Sequence, residues 1–350
     1  MLQTFFHAWE RRLASVTRDR VVRPFDWGLD WISTNGNGSG RAPLEQLQNW
    51  VEQVMADTDA FFTPPPTNDY TLAERTRDGE RLLTFSTAFR TPHQANNTVT
   101  CRWFEARAEP GTPRGAVLVL PQWNADAEGH VGLCRLLNRS GLSALRLSLP
   151  YHDLRMPPEL HRADYIVSSN IARTVQVCRQ AVLDARRAIA WLAAQGYDRI
   201  GILGSSLGSC LALLTAAHEP LVRAQALNHI SPHFADVVWR GLSTEHVRQA
   251  LDGHIELDTL RALWKPISPR WYLDRLRDRR TLLVYALYDL TFPVDLSRDL
   301  VTEFRERHVA HELAVLRCGH YSTGKTPFKY LDGWILTRFL RKALIEEGET

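Results

Sequence analysis

The sequence has few of the features that mark secreted, membrane-spanning or metal-binding proteins. Its five cysteines are widely separated and form no CxxC pair, which fits neither a disulfide framework nor a zinc site. No apolar run approaches the roughly 20 residues that a membrane span requires. The N-terminus, MLQTFFHAWERR, lacks the pattern of a signal peptide. We therefore expect a cytoplasmic protein without a transmembrane segment.

Lysine is scarce, and the charge is nearly balanced. Arginine supplies most of the 42 basic residues, the formal net charge is +3, and no dense basic block occurs. These features argue against a nucleic-acid partner. The 350 residues are 44% hydrophobic and 23% charged, as in ordinary globular proteins. This length allows one large α/β domain with an insertion, or two smaller domains.

Residues 1–80 predict a helical N-terminal extension. An Arg- and Trp-rich helical stretch comes first, and the Asn/Gly/Ser-rich segment 35–40 is a flexible linker by composition. A second helix is predicted over 44–62, and the prolines at 64–66 end it.

From residue 81 onward, short apolar runs alternate with helical patterns. Eight strands are predicted, over residues 82–89, 98–104, 116–120, 142–147, 199–203, 224–227, 281–286 and 312–316. Such alternation favours an α/β fold with a mostly parallel eight-stranded sheet and helices on both faces. Residues 229–280 interrupt the rhythm with a Trp-rich helical stretch, which we interpret as a lid insertion.

The sequence Gly-Ser-Ser-Leu-Gly at 204–208 follows one predicted strand directly and precedes an apolar helix. This is the G-x-S-x-G pattern of a nucleophile elbow, in which a sharp strand-to-helix turn presents the middle residue. The pattern makes Ser206 the candidate nucleophile and Ser205 a packing neighbour. The N–H groups at the start of the helix would then face developing negative charge.

With this elbow, the chain resembles the α/β-hydrolase superfamily, whose triad occurs in the order Ser, acid, His. The resemblance covers residues 81–346 and makes Asp289 the orienting carboxylate, with Asp295 as the alternative, and His320 the base. A narrower similarity, in the Pro-Tyr-x-x-x-Arg-x-Pro loop at 150–157 and the long helix after it, is to the branch that includes α/β-hydrolase domain-containing protein 18.

The resemblance implies a serine hydrolase that cleaves a carboxylic ester or thioester through an acyl-enzyme. It places one oxyanion-hole donor at the N–H of Leu207 and the second in the loop after the third strand, at Gln122 or Trp123. The His-Gly often found in that loop is absent. His152 and Arg155, in the loop after the fourth strand, are expected to contact substrate. The expected substrate is a small-molecule acyl ester, and a lipid-like molecule would fit this expectation.

Other functions remain open at this point. The chain could be a hydrolase-fold acyltransferase or a non-catalytic scaffold. Residues 319–326 match the P-loop pattern, but a nucleotide site would need strands after the loop, and one helix is predicted there. His229 and His233 are spaced like metal ligands, but Pro232 interrupts them. We therefore expect no metal and no cofactor, and leave the oligomeric state open.

Overall fold

The computed structural model of the protein describes residues 2–17, 19–32, 42–74, 79–107 and 114–346. The predicted linker at 35–40 lies outside these residues. Among the described helices, none has the length and apolar character to cross a membrane. All five cysteines are buried and free.

The core of the fold is one twisted β-sheet. Its strands, in chain order, are β1 (Thr71–Leu72), β2 (Arg81–Ser86), β3 (Thr98–Phe104), β4 (Gly115–Leu120), β5 (Ser143–Leu147), β6 (Arg199–Ser205), β7 (Val222–Asn228), β8 (Arg280–Ala286) and β9 (Glu312–Leu316). Within the described residues the spatial order is β1-β2-β3-β5-β4-β6-β7-β8-β9. β3 pairs antiparallel with β2 and with β5. The next strands across the sheet, in the spatial order β5-β4-β6-β7-β8-β9, are all parallel to one another.

All eight strands predicted from the sequence are present, and the mostly parallel sheet is confirmed. The described part of the sheet has nine strands rather than eight, because β1 adds to β2 at the edge. This strand is two residues long, too short to give an alternating pattern. It belongs to the segment that we predicted to be a helical extension.

Helices cover both faces of the sheet. In chain order they are α1 (Leu2–Ala14), α2 (Pro43–Ala56), α3 (Thr58–Phe62), α4 (Val131–Arg139), α5 (Ile171–Ala194), α6 (Leu207–His218), α7 (Phe234–Arg240), α8 (Glu245–Leu251), α9 (Leu257–Leu263), α10 (Val294–Glu306), α11 (His320–Thr323) and α12 (Phe328–Leu344). Helices α5 and α6 pack into the larger apolar core, and α4 and α12 pack into a second core on the other face.

The burial of the central strands follows from this arrangement. Every residue of β4 is buried, as its sequence Gly-Ala-Val-Leu-Val-Leu predicts for a strand covered on both faces. Burial of each Val or Leu side chain stabilises the folded state by roughly 1.5–3 kcal/mol relative to leaving it exposed. Because β4 and β6 to β9 are parallel, their carboxyl ends meet at one edge, where loops carry functional groups.

The first helices are part of this structure. Phe6 of α1 lies in the second core and stacks on Tyr288, with ring centroids 4.6 Å apart and an interplanar angle of 7°. Leu47 of α2 and Phe62 of α3 lie in the larger core. The N-terminal segment therefore packs against both faces of the sheet.

Candidate active site

Ser206 occupies the sharp turn between β6 and α6. Its backbone has φ 56° and ψ −121°, a left-handed conformation that non-glycine residues rarely adopt. The Ser206 N–H donates to the carbonyl of Asn228 at 2.8 Å, and its carbonyl accepts from the Ser209 N–H at 2.9 Å. The surrounding backbone thus holds the turn that the G-x-S-x-G pattern predicts.

The two flanking glycines are required by close backbone contacts. A Cβ at Gly204 would lie 2.1 Å from the carbonyl oxygen of Gly208. A Cβ at Gly208 would lie 2.2 Å from the carbonyl oxygen of Leu120 and 2.5 Å from that of Pro121. Gly208 therefore allows the loop after β4 to approach the first turn of α6.

Asp289 and His320 form a hydrogen-bonded pair at the same edge of the sheet. His320 Nδ1 lies 2.9 Å from Asp289 Oδ2. The other carboxylate oxygen accepts from the backbone N–H groups of Thr291 and Phe292, both at 2.7 Å. The alternative acid, Asp295, is exposed and pairs with Arg240. Of the two candidate acids, Asp289 is the one that contacts His320.

A second histidine, His229, also contacts this carboxylate, which the sequence analysis did not predict. His229 Nδ1 lies 3.1 Å from Asp289 Oδ2, and the His229 and His320 rings are 4.7 Å apart. His229 directly follows β7, the strand beside β8, and has φ 60°. The sequence signal was that His229 closely follows a predicted strand, where functional side chains of such sheets are found.

The charges within this cluster favour an ionised Asp289. Burial alone would raise the pKa of Asp289, but the charge of His320 and the hydrogen bonds from His229 and His320 hold it well below its ordinary value. Burial would lower the pKa of His320, but the Asp289 carboxylate outweighs burial and raises it above 6.5. The carboxylate thus orients the imidazole and increases its basicity.

The described atoms show no hydrogen bond between the Ser206 hydroxyl and His320. The His320 ring instead stacks on Phe292, with centroids 5.4 Å apart and an interplanar angle of 5°. Phe292 and Ser206 line the same cavity. Catalytic hydrogen bonds are often long in ligand-free enzymes and shorten when substrate binds.

The cavity beside Ser206 is small and mainly apolar. Its volume is about 40 Å³, room for about three water-sized groups. Helix α7 contributes Phe234, Val237 and Val238 to its wall. Residues 229–280 thus supply part of the wall, and their role as a lid stays a prediction.

The predicted oxyanion residues lie around this cavity. Leu207 is the first residue of α6, where backbone N–H groups have no partner within the helix. Leu207 and Trp123 both line the cavity, and Gln122 precedes Trp123 in the loop that approaches Gly208. The Trp123 indole N–H donates to the Ala163 carbonyl at 2.9 Å, which fixes its ring.

His152 and Arg155 are not placed where they could contact substrate as we predicted. His152 is 1% exposed, and its ring joins the Asn124 N–H to the Pro150 carbonyl, at 2.9 Å each. Burial lowers the pKa of His152 to about 4, so its ring is neutral. His152 holds the loop after β4, which carries Gln122 and Trp123, and does not reach the cavity.

Arg155 is fully buried and its donors are occupied. It pairs with Asp184 at 2.8 Å and donates to the carbonyls of Asn96 and Ser148. A buried ion pair that is fully hydrogen-bonded has a structural role, because removing one partner leaves the other charge buried without a counter-ion. The prediction failed because sequence identifies polar residues at the sheet edge but not the direction in which they point.

The Ser205 side chain contacts a histidine other than His320. Its hydroxyl lies 2.9 Å from His130 Nε2. Burial lowers the pKa of His130 to about 4, which makes this imidazole a weak base. Ser205 thus behaves as the hydrogen-bonding neighbour that the elbow register predicts.

The N-terminal helix α1 contacts the loop that carries His320. The fully buried Glu10 carboxylate accepts from the N–H groups of Tyr321 and Ser322, at 2.8 and 2.9 Å. A Cβ at Gly319 would lie 2.3 Å from the Glu10 carboxyl carbon. These N–H groups lie within the P-loop-like sequence, so a protein carboxylate takes donors that a phosphate would need there. The arrangement argues against nucleotide binding.

One group of side chains could offer ligands to a metal. Within the described residues, single ligand atoms of His229, Asp289 and His320 lie within 4.8 Å of one another. Both imidazole Nδ1 atoms point at the carboxylate, as in a hydrogen-bonded cluster. His233, the suggested companion of His229, instead approaches Arg270. The expectation of no metal stays a prediction.

The fold has well-defined relatives among solved structures. No family model matches the sequence, and no curated protein sequence matches it. Acetyl xylan esterase from Paenibacillus sp. R4 superposes with a TM-score of 0.59 at 14% identity, over 95% of this chain and 99% of that one. The corresponding values for acetyl xylan esterase 1 from Thermoanaerobacterium sp. JW/SL YS485 are 0.55, 14%, 90% and 99%.

A larger enzyme shares the same core. Uncomplexed acylaminoacyl peptidase from Pyrococcus horikoshii superposes with a TM-score of 0.59 at 13% identity, over 81% of this chain and 43% of that one. The chain therefore spans less than half of the peptidase. The comparisons do not support the narrower similarity to the branch of α/β-hydrolase domain-containing protein 18. With its mostly parallel sheet and these superpositions, the chain has the α/β-hydrolase fold.

Proposed function

We propose that the protein is a serine hydrolase that cleaves a carboxylic ester or thioester. The observation that carries this proposal is the strained Ser206 turn at the end of β6, together with the hydrogen-bonded pair of Asp289 and His320 at the same edge of the sheet. A scaffold function would require neither a strained serine turn nor a charged pair of side chains at this edge of the sheet. A left-handed serine next to a basic imidazole has a clear use in nucleophilic catalysis.

In the proposed reaction, His320 Nε2 takes the proton of the Ser206 hydroxyl as the oxygen attacks the substrate carbonyl. Asp289 holds Nδ1 protonated and stabilises the imidazolium that forms. The N–H of Leu207 and a second N–H, from Gln122 or Trp123, stabilise the oxyanion. His320 then protonates the leaving alcohol or thiol, and water attacks the acyl-enzyme with His320 again as base.

The cavity favours a short acyl group. About 40 Å³ beside Ser206 accommodates roughly two or three carbon atoms, by comparison with the volume that one water needs. Its walls, including Val237 and Phe234, are apolar, which suits a methyl or ethyl group. A long lipid chain would require α7 to move. Two of the structures with this fold are acetyl xylan esterases, which accords with a small acyl group.

Ester hydrolysis by matched serine variants tests this proposal. We would measure kcat/KM for p-nitrophenyl acetate, butyrate and octanoate with the wild type, Ser206→Ala and Ser205→Ala. We expect turnover by the wild type, highest with acetate, and a loss of at least about 1000-fold in Ser206→Ala. Ser205→Ala serves as the control and should retain most activity, because its hydroxyl faces His130.

The outcome that would contradict the proposal is a folded wild type that turns over none of the three esters. Equal activity of the wild type and Ser206→Ala would contradict it as well. In either case a non-catalytic scaffold becomes the better description of the elbow. A preference for octanoate would leave the nucleophile in place but overturn the short-acyl assignment.

A further inference from the structure

A second cavity, which shares no lining residue with the one beside Ser206, opens between the N-terminal segment and α5. Its volume is about 560 Å³, within the range of small-molecule sites. The rings of Trp31, Trp50, Phe61 and Phe89 line it. Flat apolar walls of this kind suit a flat ring, because stacked rings bury large apolar areas.

Arg179 of α5 is one of the polar residues that line this cavity. Its Nε donates to the Phe61 carbonyl at 2.7 Å, and one terminal nitrogen lies 3.4 Å from the side-chain oxygen of Gln176. The guanidinium carbon lies 4.6 Å from the centroid of the Phe61 ring and 5.5 Å from that of Phe89. Two aromatic rings therefore fix the orientation of the guanidinium.

The charge of Arg179 has no carboxylate to balance it within the described chain. The lining acid, Asp30, is exposed and forms an ion pair with neither Arg179 nor Arg90 among the described residues. Residues 33–41, which follow Ile32, contain no Asp or Glu. Burial of the guanidinium lowers the pKa of Arg179.

A part-buried cation without a counter-ion is costly unless something else stabilises it. The two rings offset part of this cost through cation–π attraction. The remaining donors of Arg179 and the nearby guanidinium of Arg90 give the cavity an excess of positive charge. An anionic group on a ligand would neutralise that charge and take the free donors.

We propose that this cavity binds a small organic anion with a flat apolar body. Arg179 holds the anionic group, and the rings of Trp31 and Trp50 contact the body. The site is separate from Ser206 and does not depend on the proposed hydrolysis. A carboxylate on an aromatic ring system has the required chemistry.

Binding of two probes of the same shape but different charge tests the proposal. Isothermal titration calorimetry would give the affinities of indole-3-acetate and neutral indole-3-acetamide for the wild type, Arg179→Gln and Arg179→Lys. We expect the wild type to prefer the acetate by roughly tenfold or more. Arg179→Gln should bind both probes equally, and Arg179→Lys should keep part of the preference.

Arg240→Gln is the matched control, because it removes one exposed arginine outside the cavity. It should bind both probes like the wild type, which separates the site from the change in net charge. The ratio of the two affinities is measured within each variant and is insensitive to small losses of stability. Three results would overturn the proposal: no binding of the acetate below about 1 mM, equal affinity of the wild type for both probes, or an unchanged ratio in Arg179→Gln.

Discussion

Glu10 and Tyr321, at opposite ends of the sequence, are joined by a hydrogen bond of 2.8 Å from the Tyr321 N–H to the Glu10 carboxylate. A second bond from Ser322 engages the other carboxylate oxygen. Tyr321 follows His320 directly, so α1 fixes the backbone on which the proposed base is mounted. We therefore expect the N-terminal helix to position His320 without touching the reacting atoms.

Glu10→Gln should therefore impair catalysis. The glutamine side chain has one acceptor oxygen, which can still accept from one of the two backbone N–H groups, but without the negative charge this hydrogen bond is weaker. Its NH2 group faces the other N–H, and that hydrogen bond is lost. We expect kcat/KM for a short ester to fall about tenfold. Steady-state kinetics would measure it, with Glu52→Gln on the exposed face of α2 as the control. Wild-type kinetics in Glu10→Gln would show that α1 does not position His320.

The pH dependence of kcat/KM should report the raised pKa of His320. The imidazole must be neutral to accept the serine proton, so activity should increase as pH rises through this pKa. Because Asp289 raises that pKa above 6.5, the acid limb should have its midpoint above 6.5. A profile between about pH 5 and pH 9 measures it. A midpoint below 6.5 would contradict the assigned pair.

Glu10→Gln should also move the acid limb to lower pH. The negative charge of Glu10 helps to raise the pKa of His320, and the neutral amide removes that contribution. The same pH profile, recorded for the variant, measures the shift. A purely structural role of Glu10 would lower kcat/KM at every pH without moving the midpoint.

His229→Ala should reduce kcat more than it changes KM. His229 is one of two histidines on Asp289 Oδ2, and its loss leaves the carboxylate less firmly oriented. We expect kcat to fall about tenfold. His229→Asn, which retains a side-chain donor, should recover part of the loss. The exposed His161→Ala is the control. If His229→Ala turns over like the wild type, His229 has no role in orienting Asp289.

Gly208→Ala and Gly132→Ala form a pair that tests the elbow. A Cβ at Gly208 would collide with the carbonyls of Leu120 and Pro121, whereas one at Gly132 in α4 meets nothing within 4 Å. We expect Gly208→Ala to lose about 100-fold in kcat/KM, as when an oxyanion donor is displaced. Gly132→Ala should keep activity and gain about 0.5–1 kcal/mol in the free energy of unfolding. Kinetics and denaturant unfolding measure both effects, and full activity of Gly208→Ala would refute the close approach.

Much of the fold could be predicted from the sequence because it depends on local patterns. The apolar run of β4 and the glycines around Ser206 are local, and the structure has the strand and turn that they predict. Asp289 and His320 were assigned through the resemblance to the α/β-hydrolase superfamily, whose triad order they match. The short β1 was missed because two residues give no period.

Contacts between distant residues could not be predicted in the same way. The hydrogen bonds of Glu10 link α1 to a loop near the other end of the chain, and no spacing indicates them. His229 contacts Asp289 because β7 and β8 are neighbours, which requires the strand order. Arg155 illustrates the converse: a polar residue at the correct edge turned inward to Asp184, because a buried carboxylate needed a partner.

Covalent labelling of Ser206 tests the central claim most directly. The wild type, Ser206→Ala and Ser205→Ala would be incubated with a fluorophosphonate, and intact-mass spectrometry with peptide mapping would locate the adduct. We expect one adduct on Ser206 in the wild type and in Ser205→Ala, and none in Ser206→Ala. A folded wild type that stays unlabelled, or an adduct that persists in Ser206→Ala, would contradict the claim that Ser206 is an activated nucleophile.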